Sequence, residues 1–145
     1  MTVLRTPADY EFDDDRTRID REVVWAFLSQ DAYWGRWRGR DDVERQIDSS
    51  WRVVGAYATA TGAMVGFARA VSDGVALAYL ADVFVLPEHR GHGVGNALVA
   101  AMIEDGPGAS FRWMLHTADA HGLYAKFGFA APDRTYLERP ARRDS

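Results

Sequence analysis

Apolar positions along the 145 residues fall into short runs, and the period of each run predicts an element. Tyr10 to Phe12 fits a short edge strand, and the Asp13, Asp14, Asp15 run after it reads as a solvated turn. Asp20 stands as an N-cap for a helix over Arg21 to Ser29, with Val23, Val24, Phe27 and Leu28 as its buried stripe. Asp41 and Glu44 have capping-box spacing before Val43 and Ile47, which predicts a second helix ending near Ser49. Trp51 to Val71 predicts two antiparallel strands joined around Thr61 and Gly62, with Trp51, Val53 and Tyr57 alternating on one face. Ser72, Asp73 and Gly74 supply a hairpin turn into Tyr79 to Leu86. That last run is apolar on both alternating faces, as in a central strand covered on both sides, and Asp82 is its one charge.

After Pro87 the pattern changes to glycines at 91, 93 and 95, then to apolar residues at helical spacing, Val94, Ala97, Leu98, Ala101 and Met102. This predicts a helix from Val94 to about Glu104. Phe111 to His116 follows as a parallel neighbour of the central strand, reached by a right-handed crossover. Thr117 or Asp119 caps a last helix through Lys126, Gly128 stops it, and Phe129 onward is expected to return as terminal strands. No repeat or linker interrupts this order, so residues 1–140 are expected to form a single domain, with 141–145 a disordered tail.

A strand, a glycine turn and a helix N-terminus together make an anion site. A Walker loop would need GxxxxGK followed by Ser or Thr, and no lysine follows these glycines. A dinucleotide fingerprint would need glycine at position 96, where the chain has Asn96. The residues that are present read RxxGxG, through Arg90, Gly93 and Gly95. This resembles the acetyl-coenzyme A signature of the GCN5-related N-acetyltransferase (GNAT) superfamily. LYAKFGF, from Leu123 to Phe129, resembles the segment that carries the family's tyrosine.

The resemblance implies an α/β (α+β) fold: a mixed central sheet splayed between its fourth and fifth strands, helices on both faces, and coenzyme A in the opening. Val83, Phe84 and Val85 would then pair with the pantetheine arm. Arg90, Gly91, His92, Gly93, Val94, Gly95 and Asn96 would hold the pyrophosphate. Tyr124 matches the tyrosine that serves the departing sulfur. Asp82 occupies a place where many members keep an acidic residue that takes the amine proton, although a buried or edge carboxylate held by backbone or arginine is an equal reading of that position. Glu88 and His116 are further candidates for that proton. Tyr33, Trp34 and Trp37 lie in the loop that lines the acceptor mouth in such enzymes; covering the open end of the core is the alternative. The implied reaction moves acetyl from acetyl-CoA, the donor co-substrate, directly to a primary amine on a small molecule or peptide. The alternatives are a non-catalytic acetyl-CoA-binding sensor and an interaction module.

Composition narrows the remaining classes. The chain has no cysteine, which excludes disulfides, thiolate metal sites and a cysteine acyl-enzyme. A formal net charge of −4 argues against a broad nucleic-acid footprint. The four histidines include no HExxH, so no metal is expected. No apolar run approaches the roughly 18 residues of a membrane span, and no signal-peptide core opens the chain, so a cytoplasmic monomer or homodimer is expected.

Overall fold

The computed structural model describes residues 8–30 and 37–142. Among them, five strands form one sheet in the order β1-β2-β3-β4-β5: β1 Tyr10–Asp13, β2 Arg52–Ala58, β3 Met64–Ser72, β4 Leu77–Val85 and β5 Arg112–Met114. The first four pair antiparallel as a meander, and β5 lies parallel to β4. Four α-helices among the described residues complete the order: α1 Arg21–Gln30, α2 Arg40–Ser49, α3 Val94–Met102 and α4 His121–Ala125.

The sheet separates two cores. On one face α1 and α2 bring Val24, Phe27, Leu28, Val43 and Ile47 against Val53, Tyr57, Phe67 and Phe84. Phe27 stacks on Phe84 with ring centroids 4.2 Å apart and planes 11° from parallel. Such a pair adds about 0.5–1.5 kcal/mol to the roughly 1.5–3 kcal/mol of burying each side chain. On the other face α3 places Val94, Leu98, Val99 and Met102 over Val54, Val65, Ala68 and Leu80, with Tyr124 of α4 at the margin.

The predicted order holds, and four local readings are corrected. The cap of α2 is Gly39, whose N–H is accepted by the Asp42 carboxylate at 2.9 Å, so the helix begins one residue ahead of Asp41. Trp51 precedes β2 and packs with the α3-side core beside Phe111, so the strand alternation that puts Val53 and Tyr57 on the opposite face does not extend to it. Helix α3 ends at Met102, before Glu104. No strand follows Phe129 among the described residues. That segment carries Pro132 and Pro140, which donate no ladder hydrogen bond, and it shows no apolar alternation. Asp20 accepts from the Val23 N–H, as a cap of α1 should.

Two features of β4 position the site. Its pairing with β5 is confined to Leu77↔Arg112, Ala78↔Trp113 and Tyr79↔Met114, so its outer edge is open from Leu80 onward. Between the β3 pairs Phe67↔Phe84 and Arg69↔Ala81, Asp82 and Val83 stand opposite Ala68 alone. This is a β-bulge, and Asp82 sits in it at φ 55°. The extra residue switches the strand's faces, so Leu80 points into the α3-side core and Phe84 into the α1/α2 core.

Candidate active site

A cleft of about 670 Å³ opens where β4 and β5 part, lined by Trp37, Arg38, Arg69, Tyr79, Asp82, His116 and Tyr124 among others. A neighbouring cleft of about 610 Å³ shares Tyr79, His116 and Tyr124 and extends along the chain after α4.

Asp82 is buried at the cleft floor, at 7% exposure. Arg38 donates to it through both terminal nitrogens, Nη1 to Oδ2 at 2.8 Å and Nη2 to Oδ1 at 2.9 Å. Arg69, on β3, donates through Nε to Oδ2 at 2.7 Å. Gln46 accepts from Arg38 Nη1 at 2.6 Å and braces it from α2. Burial acts to raise the Asp82 carboxyl, but the Arg38 hydrogen bonds and the Arg69 charge outweigh it and hold the group below the usual carboxylate range. The left-handed backbone at Asp82, costing roughly 1–2 kcal/mol for an L residue, is offset by these three charge-assisted bonds. Nothing in the spacing of the sequence links Asp82 to Arg38, which lies 44 positions earlier.

Tyr124 is buried in α4 and its hydroxyl has no hydrogen-bond partner among the described residues. Burial, with a smaller contribution from Asp119, pushes its phenol up to about 12. It therefore stays neutral near pH 7 and keeps a donor available to the cleft.

The glycine turn has the shape of an anion cradle. Gly91 and Gly93 take φ 83° and 79°, and Gly93 is the N-cap of α3. No protein acceptor among the described residues takes the N–H groups of Gly91, His92 or Gly93. Those of Val94, Gly95 and Asn96 belong to the first helical turn, where the helix supplies no acceptor. A Cβ at Gly91 would meet nothing within 4 Å, and one at Gly95 only Val85 Cγ2 at 4.0 Å, so the space above the turn is open. Arg90 bends back to donate from Nε to the Val85 carbonyl at 3.0 Å and remains exposed at the rim. His92 is exposed, with Nδ1 3.2 Å from the His89 carbonyl. His89 itself is bonded to the Tyr10 hydroxyl at 2.8 Å. Asn96 Oδ1 is buried without a partner among the described residues.

Along β4, the Leu86 N–H bonds the Val65 carbonyl of β3, so by strand alternation Phe84 also turns its backbone toward β3 while Val83 and Val85 turn theirs to the open edge. The Phe84 side chain lies in the α1/α2 core. Trp37 is half exposed at the cleft mouth with the Arg38 guanidinium 5.6 Å from its ring. Tyr33 and Trp34 lie outside the described residues. Among the described residues no group of three or more His, Asp or Glu side chains could hold a metal ion, and no helix is long and apolar enough to cross a membrane.

A mixed sheet splayed at its parallel pair, with a glycine turn at the end of the open strand and Tyr124 lining the cleft between, is the arrangement expected of an acetyltransferase. Comparison with known proteins gives the family. The acetyltransferase (GNAT) family model matches residues 13–129, and the chain belongs to that family. A Gibberella zeae protein assigned as an acetyltransferase is 29% identical over 145 residues, covering 83% of this chain and 78% of its own. A crystal structure from Xanthomonas campestris pv. campestris, assigned to the same family, superposes with a TM-score of 0.84 at 38% identity, covering 91% of this chain and 93% of the other. A Clostridium acetobutylicum structure solved with acetyl-CoA shares the fold, with a TM-score of 0.65 at 12% identity over 90% of this chain and 94% of the other. The family uses acetyl-CoA and acts on amine acceptors in general.

Proposed function

We propose that the protein transfers acetyl from acetyl-CoA directly to a primary amine within a ternary complex, with no covalent acetyl-enzyme. The observation that carries this reading is the open β4 edge, which runs from the glycine turn to Asp82 and the cleft that Tyr124 also lines. From Val85 back to Leu80 the edge extends about 17 Å at roughly 3.3 Å per residue, a length suited to an extended pantetheine arm.

When bound, acetyl-CoA supplies an activated acyl carbon and a thiolate leaving group. The free N–H groups of Gly91 to Asn96 and the α3 dipole hold the pyrophosphate, and Arg90 adds positive charge at the rim. Val83 and Val85 pair with the arm's amides as a neighbouring strand would. Tyr124 donates a hydrogen bond to the sulfur. Full transfer of its proton to a thiolate with an ordinary acidity near 8.5 would be uphill by about 5 kcal/mol, so Tyr124 acts by stabilising charge as it develops. Trp37 borders the acceptor mouth. Asp82, ionised and paired, fixes Arg38 and Arg69 around the acceptor and leaves an excess of positive charge at the cleft floor. Its low proton affinity makes it a weak base, reached through water.

The test is thiol release from acetyl-CoA with a panel of amines: an arylalkylamine, an amino acid, a polyamine, an aminoglycoside and a peptide amino terminus. The reading expects release that depends on the amine, with no burst of free coenzyme A in its absence. A stoichiometric burst without amine would indicate an acetyl-enzyme, and binding with no transfer to any amine would favour the sensor alternative.

A further inference from the structure

The amine that attacks must shed a proton, and at pH 7 an ordinary alkylammonium lies about 4.6 kcal/mol below its reactive neutral form. Asp82, paired with two arginines, is poorly suited to receive that proton, and Tyr124 is a donor. A third set of groups converges on the cleft. The Tyr79 hydroxyl lies 2.5 Å from His116 Nδ1, and His116 Nε2 lies 2.6 Å from Glu138 Oε2. The Tyr136 hydroxyl donates to the same Glu138 oxygen at 3.2 Å. These residues come from β4, from the chain just beyond β5 and from the C-terminal segment, so only the fold brings them together.

We propose that Tyr79, His116 and Glu138 form the relay that removes the acceptor amine's proton, an assignment that rests on the acetyl-transfer reading above. The partners fix the direction. Carboxylate Glu138 can only accept, so Nε2 carries the hydrogen, and Nδ1 is left to accept from the Tyr79 hydroxyl. Tyr79 Oη then takes a proton from the amine nitrogen as its own passes to Nδ1. The product is an imidazolium facing the Glu138 carboxylate, and the His116 side chain, 61% exposed, discharges its proton to water. One proton leaves the amine and one reaches solvent, with no other reactant required.

Placement supports the role. Tyr79 occupies the last β4–β5 pair, opposite Met114, so it stands at the apex of the opening, one residue beyond the free edge that begins at Leu80. It borders the same cleft as Asp82 and Tyr124. Burial, and then the Glu138 charge, raise the Tyr79 phenol, so it remains protonated and able to donate to Nδ1. The charged or titratable groups around the relay are Asp82 from its own strand, Arg69 from β3, Arg38 ahead of α2, Asp119, His121 and Tyr124 from the β5–α4 side, and Tyr136 from the C-terminal segment. His116 acts as the proton carrier, and Glu138 is its positioning residue.

The experiment compares the wild type with Tyr79→Phe, His116→Gln and Glu138→Gln in three measurements. Imidazole nitrogen NMR of the free protein should show His116 as the Nε2–H tautomer, with its proton signal moved upfield in Glu138→Gln. Acetyl-CoA titration should give affinities within about threefold of wild type for all variants. Thiol release with the amine turned over fastest should fall about 100-fold in kcat/KM for His116→Gln and about 10-fold for Glu138→Gln, within the range typical of general-base loss. The pH profile of His116→Gln should follow the free-amine fraction alone. Transfer by His116→Gln within threefold of wild type, with normal acetyl-CoA binding, would overturn the relay and leave the transferase reading intact. A wild type that binds no acetyl-CoA would overturn both.

Discussion

At the scale of single residues, the site depends on how each side chain's neighbours set its proton affinity. Asp82 is ionised because two guanidiniums outweigh its burial, and this links it to stability as well as to function. Its folded carboxyl lies below its ordinary value of 3.8. A depressed carboxyl contributes stability that is fully present above the unfolded value and is lost as pH falls through the folded one. Acid unfolding of the wild type should therefore include a component below about pH 3.8 that Asp82→Asn lacks. At neutral pH the same substitution removes one partner of a buried pair, and chemical denaturation should show a loss of about 3–5 kcal/mol. An unchanged midpoint would mean that the Arg38 contact contributes nothing to the fold. Tyr124→Phe makes the complementary prediction: kcat for thiol release falls by about 100-fold while acetyl-CoA affinity, measured by calorimetry, changes less than threefold. Equal losses in both would reassign Tyr124 to binding.

At the scale of elements, the strand with an open edge decides what can bind. β4 loses its β5 partner after Tyr79, and the bulge at Asp82 re-aims its side chains just where the edge becomes free. Hydrogen exchange reports this residue by residue. The amides of Val83 and Val85 should exchange rapidly in the free protein and become protected with saturating acetyl-CoA, while that of Phe84, turned toward β3, is protected in both states. Protection at Phe84 alone would contradict the placement. Much of this element was legible in the sequence, because RxxGxG after an apolar run, with LYAKFGF further along, together resemble the family's cofactor-binding segments. The bulge was not legible, since a left-handed aspartate leaves no mark on hydrophobic period. Neither were the Arg38 and Arg69 partners of Asp82 or the Tyr79–His116–Glu138 chain, each assembled from separate elements. The terminal strands expected after Phe129 do not form among the described residues, because the prolines and exposed side chains of that segment do not support a ladder.

At the scale of the whole molecule, a five-stranded sheet with α1 and α2 on one face and α3 and α4 on the other opens between its parallel strands, and the candidate catalytic groups converge there. The meander order and the helix after the glycine turn were readable from local period and turn residues, since most of these contacts join neighbouring elements. The acceptor side was not readable, because it combines the loop before α2 with residues from β3, β4 and the C-terminal segment. The charge balance of the chain as a whole, −4, also differs from that of the cleft floor, where two arginines meet one aspartate.

The central claim is that this fold holds acetyl-CoA along β4 with its pyrophosphate on the glycine turn. The most direct measurement is calorimetric titration of the protein with acetyl-CoA, with coenzyme A and NAD as comparators. The account expects saturable binding of acetyl-CoA in the micromolar range, binding of coenzyme A through the same pyrophosphate and pantetheine contacts, and no binding of NAD. Absence of acetyl-CoA binding at millimolar concentration, or equal binding of NAD, would contradict it.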